Sequence, residues 1–317
     1  MKAVVLGAGV CGLTCAERLL AHDFEVEVWA REHQRATTST IAGAIWYPFH
    51  ASPAGRVRGW AFDSLARYRE LAQDESSGVR LRSGCEVFRA GVEPQPWIRE
   101  LPALRELEPR ELPAGCARGI EFQAPVVETP VFMAWLERRV SALGATLRTR
   151  GVHSFEEAFA EAALVVDAAG LGARELAHDD DLHPVAGQLV HVEPSGCERF
   201  WLDFSGPEPT YVIPRANDVV LGGSLEREDA DEPARRAALE GLRARCRTLE
   251  PRLAGARELG TARGSRPARS VVRLEAEERG PGRLLVHDYG HGGAGITLAW
   301  GCADEVAALS SRWRNER

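Results

Sequence analysis

Residues 286–301 read VHDYGHGGAGITLAWG, and they decide the fold because they join a strand, a glycine-dense loop and a helix. The apolar run 284–286 predicts a buried strand, and the apolar spacing that begins at Ile296 predicts a packed helix. Between them, Gly290, Gly292, Gly293 and Gly295 leave backbone amides uncovered by side chains, so the loop can lie flat against a ligand. The alternative for this stretch alone is a turn whose glycines only permit positive φ angles.

The amino-terminal end of the chain favours the ligand-binding interpretation. A short apolar run, 2–6, precedes a glycine motif, and a helical pattern begins at Leu13. In this setting the first glycine permits a tight turn, the second lets the backbone approach a pyrophosphate, and the third allows close helix–strand packing. The phosphates would lie at the helix N-terminus. The pattern predicts dinucleotide binding, with a plain strand-to-helix turn as the alternative. The motif residues are Gly7, Ala8, Gly9, Val10, Cys11 and Gly12.

Two further segments extend this predicted binding site. Arg31 and Glu32 follow the second predicted strand, 24–29, at a point where an acidic residue would hold the adenosine ribose. Glu32 is the candidate, although a solvated loop charge explains it equally well. A cluster of hydroxyl side chains at 36–40 leads into the small-residue segment 42–49, which ends in aromatic residues and suits passage beneath a flat ligand.

The order of the predicted elements indicates an α/β fold in which one domain interrupts another. We predict a Rossmann-like domain with a parallel sheet, split by an α+β substrate domain whose short strands form an antiparallel sheet. The Rossmann-like domain would comprise residues 1–50, 120–184 and 263–317, and the inserted domain residues 51–119 and 185–262.

Composition and charge limit the expected partners. The chain has 317 residues, of which 44% are hydrophobic, and a formal net charge of -7. Nucleic acid and anionic membranes demand a basic surface, so neither is expected as a partner. The sequence shows neither a signal region nor an apolar run long enough to span a membrane. We therefore expect a cytoplasmic protein.

The cysteines predict free thiols rather than a metal site. There are seven of them, dispersed and without the close pairs that a zinc site needs. Cys11 and Cys15 lie one helical turn apart, which would suit a redox or metal pair, but core packing is the favoured interpretation. The acidic run 179–181 is interpreted as a solvated loop. No metal is expected.

Five segments together resemble the D-amino-acid oxidase family of flavoproteins, and the resemblance covers nearly the whole chain. The most specific is 287–297, HDYGHGGAGIT. This resemblance implies FAD as the cofactor and an FAD-binding domain interrupted by a substrate domain, which is the organisation already predicted from the segments. The other four segments are GAGVCGLT at 7–14, AGAIWYP at 42–48, YVIP at 211–214 with LGG at 221–223, and RPAR at 266–269 followed by Arg273.

The resemblance also implies roles for individual residues. Arg273 would bind the substrate carboxylate through its planar guanidinium, and the Tyr211 hydroxyl would donate to the same carboxylate. A surface salt bridge is the alternative role for Arg273. The Gly293 carbonyl would accept a hydrogen bond from the substrate amine, and Phe49 would be an aromatic wall beside the substrate. The cofactor contacts, from the motifs and the resemblance together, are Gly7, Ala8, Gly9, Val10, Cys11, Gly12, Arg31, Glu32, Thr37, Thr38, Ala42, Gly43, Ala44, Trp46, Val152, Gly170, Gly292, Gly293, Ala294, Gly295, Ile296 and Thr297.

The activity implied by the resemblance is oxidative deamination of a D-amino acid. A hydride would pass to flavin N5, and oxygen would accept the electrons, giving a 2-oxo acid, ammonia and hydrogen peroxide. The partners would be the D-amino acid and oxygen, with a homodimer left open. His287 and His291 are candidate bases, but structural or flavin-contact roles are favoured.

Several other activities stay open at this point. One is an oxidase for acidic D-amino acids that uses an extra arginine such as Arg215. Another is a related amine oxidase, or a dehydrogenase with another electron acceptor. An NAD-dependent Rossmann enzyme and a cofactor-binding protein without turnover complete the alternatives.

Overall fold

The computed structural model describes residues 1–32, 37–49, 51–206 and 208–317. Within these residues lie thirteen strands and eight α-helices. The strands are β1 (Lys2–Leu6), β2 (Glu25–Ala30), β3 (Val79–Phe88), β4 (Arg105–Glu106), β5 (Arg118–Val127), β6 (Thr146–Thr149), β7 (Leu164–Asp167), β8 (His183–Val192), β9 (Phe200–Asp203), β10 (Thr210–Pro214), β11 (Val219–Gly222), β12 (Glu258–Glu278) and β13 (Leu284–His291). The helices are α1 (Val10–Ala21), α2 (Thr38–Ile41), α3 (Ala54–Leu71), α4 (Thr129–Ala142), α5 (Phe155–Phe159), α6 (Ala173–Leu176), α7 (Glu232–Leu249) and α8 (Gly295–Asn315).

Five strands form a parallel sheet in the order β13-β7-β1-β2-β6. Strands β1 and β7 lie at its centre, and their apolar side chains are almost completely buried. Continuous apolar runs of this kind are typical of parallel strands that are covered on both faces. The glycine motif follows β1 directly, at the carboxyl edge where ligands of such sheets bind.

The other strands continue the same sheet in a mainly antiparallel arrangement. Their order is β4-β5-β3-β9-β10-β11-β8-β12, and only the β3–β9 ladder among them is parallel. The 21-residue strand β12 pairs with β8 along its first part and with β13 along its second part, so it joins the two halves. The predicted fold class, a Rossmann-like parallel sheet combined with an antiparallel one, is confirmed.

The predicted domain boundaries stay a prediction, because the strands form one continuous sheet. Residues 120–184 were assigned to the Rossmann-like domain. The structure places 118–127 in β5, which pairs with β3 in the antiparallel half. The parallel half takes its strands from residues 2–30, 146–167 and 284–291.

Helix α8 packs between α1 and α3, and α4 packs on the far side of α1. Leu298, Trp300 and Val306 of α8 are buried, as their spacing predicted. The Tyr68 hydroxyl of α3 donates to the Ile296 carbonyl at the start of α8, with a distance of 2.8 Å. These contacts hold the glycine loop before α8 against the end of β13.

The described helices include none that is both long and apolar enough to cross a membrane. All seven cysteines are free thiols.

Candidate functional site

A cleft of about 660 Å³ opens at the carboxyl ends of β1 and β2 and extends to the antiparallel sheet. Its volume lies within the range of small-molecule sites, roughly 300–1,000 Å³. The glycine motif after β1 lines its centre, and the glycine loop after β13 lines the part that continues toward β10 and β12. The two stretches singled out in the sequence therefore face one ligand site.

The turn after β1 is built so that backbone, rather than side chains, faces the cleft. Gly7 has a φ of +113°, and a Cβ there would overlap the carbonyl of Ala168. A Cβ on Gly12 would overlap the carbonyl of Gly7, so α1 lies against the turn. No acidic residue occupies the first turn of α1, and its N-cap, Gly9, has no side chain. The helix N-terminus is thus an open anion site.

Ser39 adds a hydroxyl to this anion site, and it was not among the predicted contacts. The Val10 amide at the start of α1 donates to the Ser39 Oγ at 3.0 Å. Ser39 lines the cleft together with Thr37 and Thr38. The hydroxyl cluster at 36–40 was the available signal, although residue 36 lies outside the described residues.

One end of the cleft lies beyond β2, where Arg31 and Glu32 form part of its lining. The Arg150 guanidinium lies 3.9 Å from the centre of the Trp29 ring, and both residues line the cleft. Val152 completes this end. An aromatic ring, an apolar side chain and an acidic side chain in one slot suit a nucleoside.

Most of the predicted cofactor contacts line the cleft, but four of them lie behind its wall. Gly12 packs under the turn, and Ala294 is fully buried. The Trp46 indole is buried and donates to the Ala61 carbonyl. The Thr297 hydroxyl exchanges hydrogen bonds with the backbone of Tyr47, at 2.9 and 3.1 Å. The predicted cofactor contacts that line the cleft are Gly7, Ala8, Gly9, Val10, Cys11, Arg31, Glu32, Thr37, Thr38, Ala42, Gly43, Ala44, Val152, Gly170, Gly292, Gly293, Gly295 and Ile296.

Arg273 is not brought to this cleft. Its guanidinium donates to Glu275 and to the Tyr289 hydroxyl, both at 2.7 Å, and lies 3.7 Å from the Asp179 carboxylate. It lines a second cavity of about 180 Å³, which shares only His153 and Leu176 with the main cleft. The expectation that Arg273 shares a site with Tyr211 and Gly293 is therefore corrected by the geometry. The physical reason is its place on β12: Arg273 pairs with Tyr289 of β13, where Glu275, Tyr289 and Asp179 bind its guanidinium.

Arg266 occupies the position in the cleft that was expected for Arg273. It lies seven residues earlier on β12, where Gly187 of the neighbouring strand leaves room for its guanidinium. Its Nη1 donates to the carbonyls of Ala186 and Ser224 at 3.4 and 3.3 Å. Among the described residues, no carboxylate lies within ion-pair distance of it. Its charge is therefore available to a ligand.

Tyr211, Phe49 and Gly293, the three residues predicted beside Arg273 at the substrate end of the site, lie around Arg266 instead. The Arg266 guanidinium lies close enough to the Tyr211 hydroxyl to act on its pKa. Burial raises the pKa of Tyr211, although Arg266 opposes this, so the hydroxyl keeps its proton and can donate. A Cβ placed on Gly293 would lie 3.4 Å from the Phe49 ring and 3.7 Å from the Arg266 Cδ.

Aromatic rings form the remaining wall of the cleft at this end. Phe204 packs against both Phe49 and Tyr47, with ring centres 4.9 and 4.8 Å apart. The Tyr47 hydroxyl donates to the buried Glu86 carboxyl at 2.7 Å. Burial, with Asp203 nearby, raises the pKa of Glu86 to about 8, so this carboxyl is predominantly protonated at neutral pH. The wall therefore presents rings rather than charge.

The residues of the cleft fit FAD on the evidence of their geometry. The cleft is continuous from the nucleoside slot, past the open helix N-terminus, to the backbone of the glycine loop before α8. The Cβ overlaps at Gly7 and Gly12 show that this cradle is formed by close backbone packing. A dinucleotide with a flat ring at one end has this shape and chemistry.

Comparison with known proteins places the chain in a family. The model of the DAO family, described as FAD dependent oxidoreductase, matches residues 2–309. The chain is 46% identical to a D-amino-acid oxidase of Rubrobacter xylanophilus, over 98% of this chain and 95% of that protein. It is 41% identical to a D-amino-acid oxidase of Streptomyces coelicolor, over 98% and 97%.

A solved structure with the same fold is the L-proline dehydrogenase of P. horikoshii, which is 14% identical and superposes with a TM-score of 0.81 over 98% of this chain and 93% of that one. The family match covers nearly the whole chain, and the cleft fits the cofactor that the family uses. The protein therefore belongs to the DAO family of FAD-dependent oxidoreductases.

Proposed function

We propose that this FAD-dependent enzyme oxidatively deaminates D-amino acids, with oxygen as the electron acceptor. The observation that carries the proposal is the Arg266 guanidinium, which lacks a carboxylate partner among the described residues and lies beside the Tyr211 hydroxyl. Both residues line the end of the cleft that is formed by the glycine loop before α8. The names of the relatives support the same activity.

In this proposal Arg266 and Tyr211 bind the substrate carboxylate, and Arg266 replaces Arg273 in that role. A guanidinium that faces a carboxylate forms two parallel hydrogen bonds, which fix orientation as well as charge. The Tyr211 hydroxyl supplies a third donor, because burial keeps it protonated. This arrangement leaves one direction for the substrate amine and one for its side chain.

The Gly293 carbonyl is the proposed acceptor for the substrate amine. Gly293 lies between the Arg266 side chain and the Phe49 ring, so a ligand held by Arg266 passes close to its backbone. Bound FAD supplies the redox chemistry, by accepting two electrons from the substrate and passing them to oxygen. The contribution of the protein is positioning, for which several kcal/mol of barrier reduction is typical. No side chain is required as a strong base.

The proposed cofactor-holding residues are the predicted contacts that line the cleft, together with Ser39. The open amides of α1 and the Ser39 hydroxyl would bind the pyrophosphate. Glu32 would accept from the ribose, and the loop 292–296 would lie along the flavin ring. Gly12, Trp46, Ala294 and Thr297 would support this surface from behind.

Arg215, the candidate arginine for selectivity toward acidic D-amino acids, does not support that selectivity. Arg215 forms an ion pair with Asp218, with 2.6 Å between Nη2 and Oδ2, and it does not line the cleft. The aromatic wall of Tyr47, Phe49 and Phe204 instead favours apolar side chains.

The test is a panel of D-amino acids and their L-isomers, incubated with the yellow, FAD-loaded protein while peroxide and 2-oxo acid are measured. We expect stoichiometric release of both products from D-isomers with apolar side chains, and none from the L-isomers. Bleaching of the flavin without release of peroxide would show that the reduced flavin passes its electrons to an acceptor other than oxygen. Turnover of the L-isomers, or of no amino acid at all, would overturn the proposal.

We also propose a reducing, cytoplasmic location. The support is that all seven cysteines are free thiols, as is typical of reducing compartments. A homodimer stays a prediction, which the mass of the protein in solution would test.

A further inference from the structure

Three ionisable side chains form a line behind the glycine motif, and the proposed reaction uses none of them. The Cys11 Sγ lies 3.6 Å from the Nδ1 of His291, and the Nε2 of the same ring lies 3.2 Å from the Asp288 Oδ1. The imidazole thus stands between a thiol and a carboxylate. His291 and Asp288 are 3% and 1% exposed, whereas Cys11 is half-buried and lines the cleft.

The histidine and the aspartate are not satisfied by other groups among the described residues. The Nε2 of His291 and the Oδ1 of Asp288 are both buried without a hydrogen bond. The other carboxylate oxygen, Oδ2, accepts from the Cys15 thiol at 3.3 Å. The Nε2 and the Oδ1 face each other, at 3.2 Å, and a buried ionisable pair of this kind is costly unless its charge or its proton is used. This points to a function for the cluster beyond packing.

Cys11 lies at a helix N-terminus and beside the His291 ring. Cys11 is the second residue of α1, whose first turn holds no acidic side chain, and a helix N-terminus favours an anion. Burial alone would lower the pKa of His291, but the Cys11 sulfur and the Asp288 carboxylate outweigh it and hold that pKa well above its usual range. An imidazole that takes up the thiol proton becomes charged and leaves a thiolate beside it, which is the arrangement that activates nucleophilic cysteines.

The other thiols lack these features. Burial raises the pKa of Cys15 and of Cys302, and neither residue lines the cleft. Cys116 is half-buried like Cys11, yet burial raises its pKa, and no histidine is bonded to it among the described residues. Cys116 is therefore a matched internal control for Cys11.

We propose that Cys11 is a modification site that controls cofactor loading. In the FAD-free protein, the His291–Asp288 pair activates the Cys11 thiol toward small electrophiles and hydrogen peroxide, and the modified side chain blocks FAD. Bound FAD covers the thiol, because Cys11 lines the centre of the cleft between Val10 and the loop before α8. Only the source of the peroxide within a cell rests on the proposed function.

The chemical step balances with the groups present and peroxide as oxidant. The thiol proton passes to the Nδ1 of His291, and the sulfur attacks one oxygen of the peroxide. An S–O bond forms as the O–O bond breaks, so the sulfur loses two electrons and becomes a sulfenic acid. The leaving hydroxide takes the proton from His291 and departs as water. A thiol reductant reverses the modification.

The test compares Cys11 with Cys116 in FAD-free and FAD-loaded protein by iodoacetamide labelling and peptide mass spectrometry. Near neutral pH we expect Cys11 in the FAD-free protein to react at least about tenfold faster than Cys116. Saturating FAD should slow Cys11 by about tenfold or more and leave Cys116 unchanged. Equal labelling rates, or equal labelling of Cys11 with and without FAD, would overturn the proposal.

Asp288→Asn tests the positioning role of the carboxylate. We expect the pH at which Cys11 becomes reactive to rise and its rate near neutral pH to fall about tenfold, while the profile of Cys116 stays the same. An unchanged pH profile of Cys11 reactivity would contradict the role of Asp288 in activating Cys11 through His291. If this variant does not fold, the comparison of Cys11 with Cys116 in the native sequence still decides. The titratable groups facing Cys11 in this profile are Cys15 of α1, Tyr68 of α3, Asp288 and His291 of β13, and Cys302 of α8.

A second arm adds hydrogen peroxide to the FAD-free protein and then measures FAD uptake by fluorescence quenching. Uptake should be lost as Cys11 is oxidised and should return after treatment with dithiothreitol. Cys116→Ser should lose uptake like the native protein, and Cys11→Ser should not lose uptake further on peroxide treatment. Normal FAD uptake by protein whose Cys11 is fully oxidised would refute the control of loading.

Discussion

The two faces of β12 carry arginines of opposite character. On the cleft side, Arg266 donates weakly to two carbonyls and has no carboxylate partner among the described residues. On the other side, Arg273 is bound by Glu275, Tyr289 and Asp179 around a small cavity. A guanidinium left without a counter-charge in a cleft is placed for a ligand, whereas one that is fully paired is placed for the fold.

The carboxyl groups near the two arginines differ in the same way. Glu86 stands behind the aromatic wall of the cleft without a cation, and burial raises its pKa to about 8. Burial acts in the same direction on Asp179, but hydrogen bonds from Tyr289 and Arg269 outweigh it and lower the pKa of Asp179. The aromatic wall of the cleft is thus kept free of charge, while the charges at the smaller cavity neutralise one another.

Replacing each arginine in turn should separate the two faces most strongly. Arg266→Ala should lower kcat/KM for D-amino acids by about a thousandfold, or about 4 kcal/mol, because the substrate carboxylate loses its buried partner. Arg273→Ala, the matched control on the same strand, should stay within about threefold of the native value. Steady-state peroxide release measures both. Equal losses of kcat/KM in the two variants would contradict the assignment of Arg266 to the substrate and of Arg273 to the fold.

The uncharged carboxyl behind the cleft predicts a pH effect on stability. The folded chain retains the Glu86 proton that the unfolded chain releases above about pH 4.5, so the free energy of unfolding falls as pH rises, by about 3 kcal/mol between about pH 5 and 8. Glu86→Gln cannot release a proton, and its stability should fall less over that interval. Denaturant unfolding at several pH values measures the difference. Parallel curves for the two proteins would show that Glu86 is charged in the fold.

On the side of β12 that carries Arg273, loss of the Asp179 charge should lower the stability of the protein. Asp179→Asn weakens the bonds from Arg269 and Tyr289, at 2.9 and 2.7 Å, and should cost about 2 kcal/mol of unfolding free energy near neutral pH. Because the folded pKa is lowered, this contribution is present above about pH 4 and disappears as pH falls below it. Substrate KM should change little. A large rise in KM without loss of stability would place Asp179 in the substrate site.

The smallest expected effect is that of adding a methyl group to Gly293 at the substrate end of the cleft. Gly293→Ala puts a Cβ at 3.4 Å from Phe49 and 3.7 Å from Arg266, which narrows the substrate end and should raise KM by about tenfold. Gly55→Ala on α3 is the control, because nothing lies within 4 Å of its added Cβ. Unfolding curves would show whether either variant is destabilised. An unaltered KM for Gly293→Ala would place the substrate away from this loop.

The fold and the cofactor half of the cleft were predictable because their signals are local. The strand before Gly7, the glycine motif and the helix after it follow one another without interruption. The loop before α8 is equally continuous, with Gly292 at a φ of +54°. Periodicity and glycine spacing report such features directly.

The choice between arginines was not predictable, because it depends on strand pairing. In a regular strand, residues seven apart point to opposite faces. The six residues of β12 from Ala268 to Arg273 lie opposite only three residues of β13, from His291 to Tyr289. The motif RPAR followed by Arg273 does not reveal this irregularity. Gly187, which makes room for Arg266, lies on β8, nearly eighty residues earlier in the chain.

Ser39 was missed, and the supporting roles of Trp46 and Thr297 were not predicted, for a similar reason. Ser39, Trp46 and Thr297 act through backbone groups that approach them only in the fold, such as the Val10 amide, the Ala61 carbonyl and the backbone of Tyr47. A hydroxyl or an indole carries no sequence signal for such a partner.

The most direct test of the carboxylate site is the dissociation constant of a simple carboxylate that cannot react, such as propanoate, read from the absorbance of the bound flavin. Arg266→Ala should raise this constant by about a thousandfold, and Arg273→Ala should leave it within about threefold of the native value. If Arg273→Ala weakened propanoate binding while Arg266→Ala bound it normally, the carboxylate site would lie on the other face of β12, and the assignment of Arg266 as the substrate-binding arginine would be wrong.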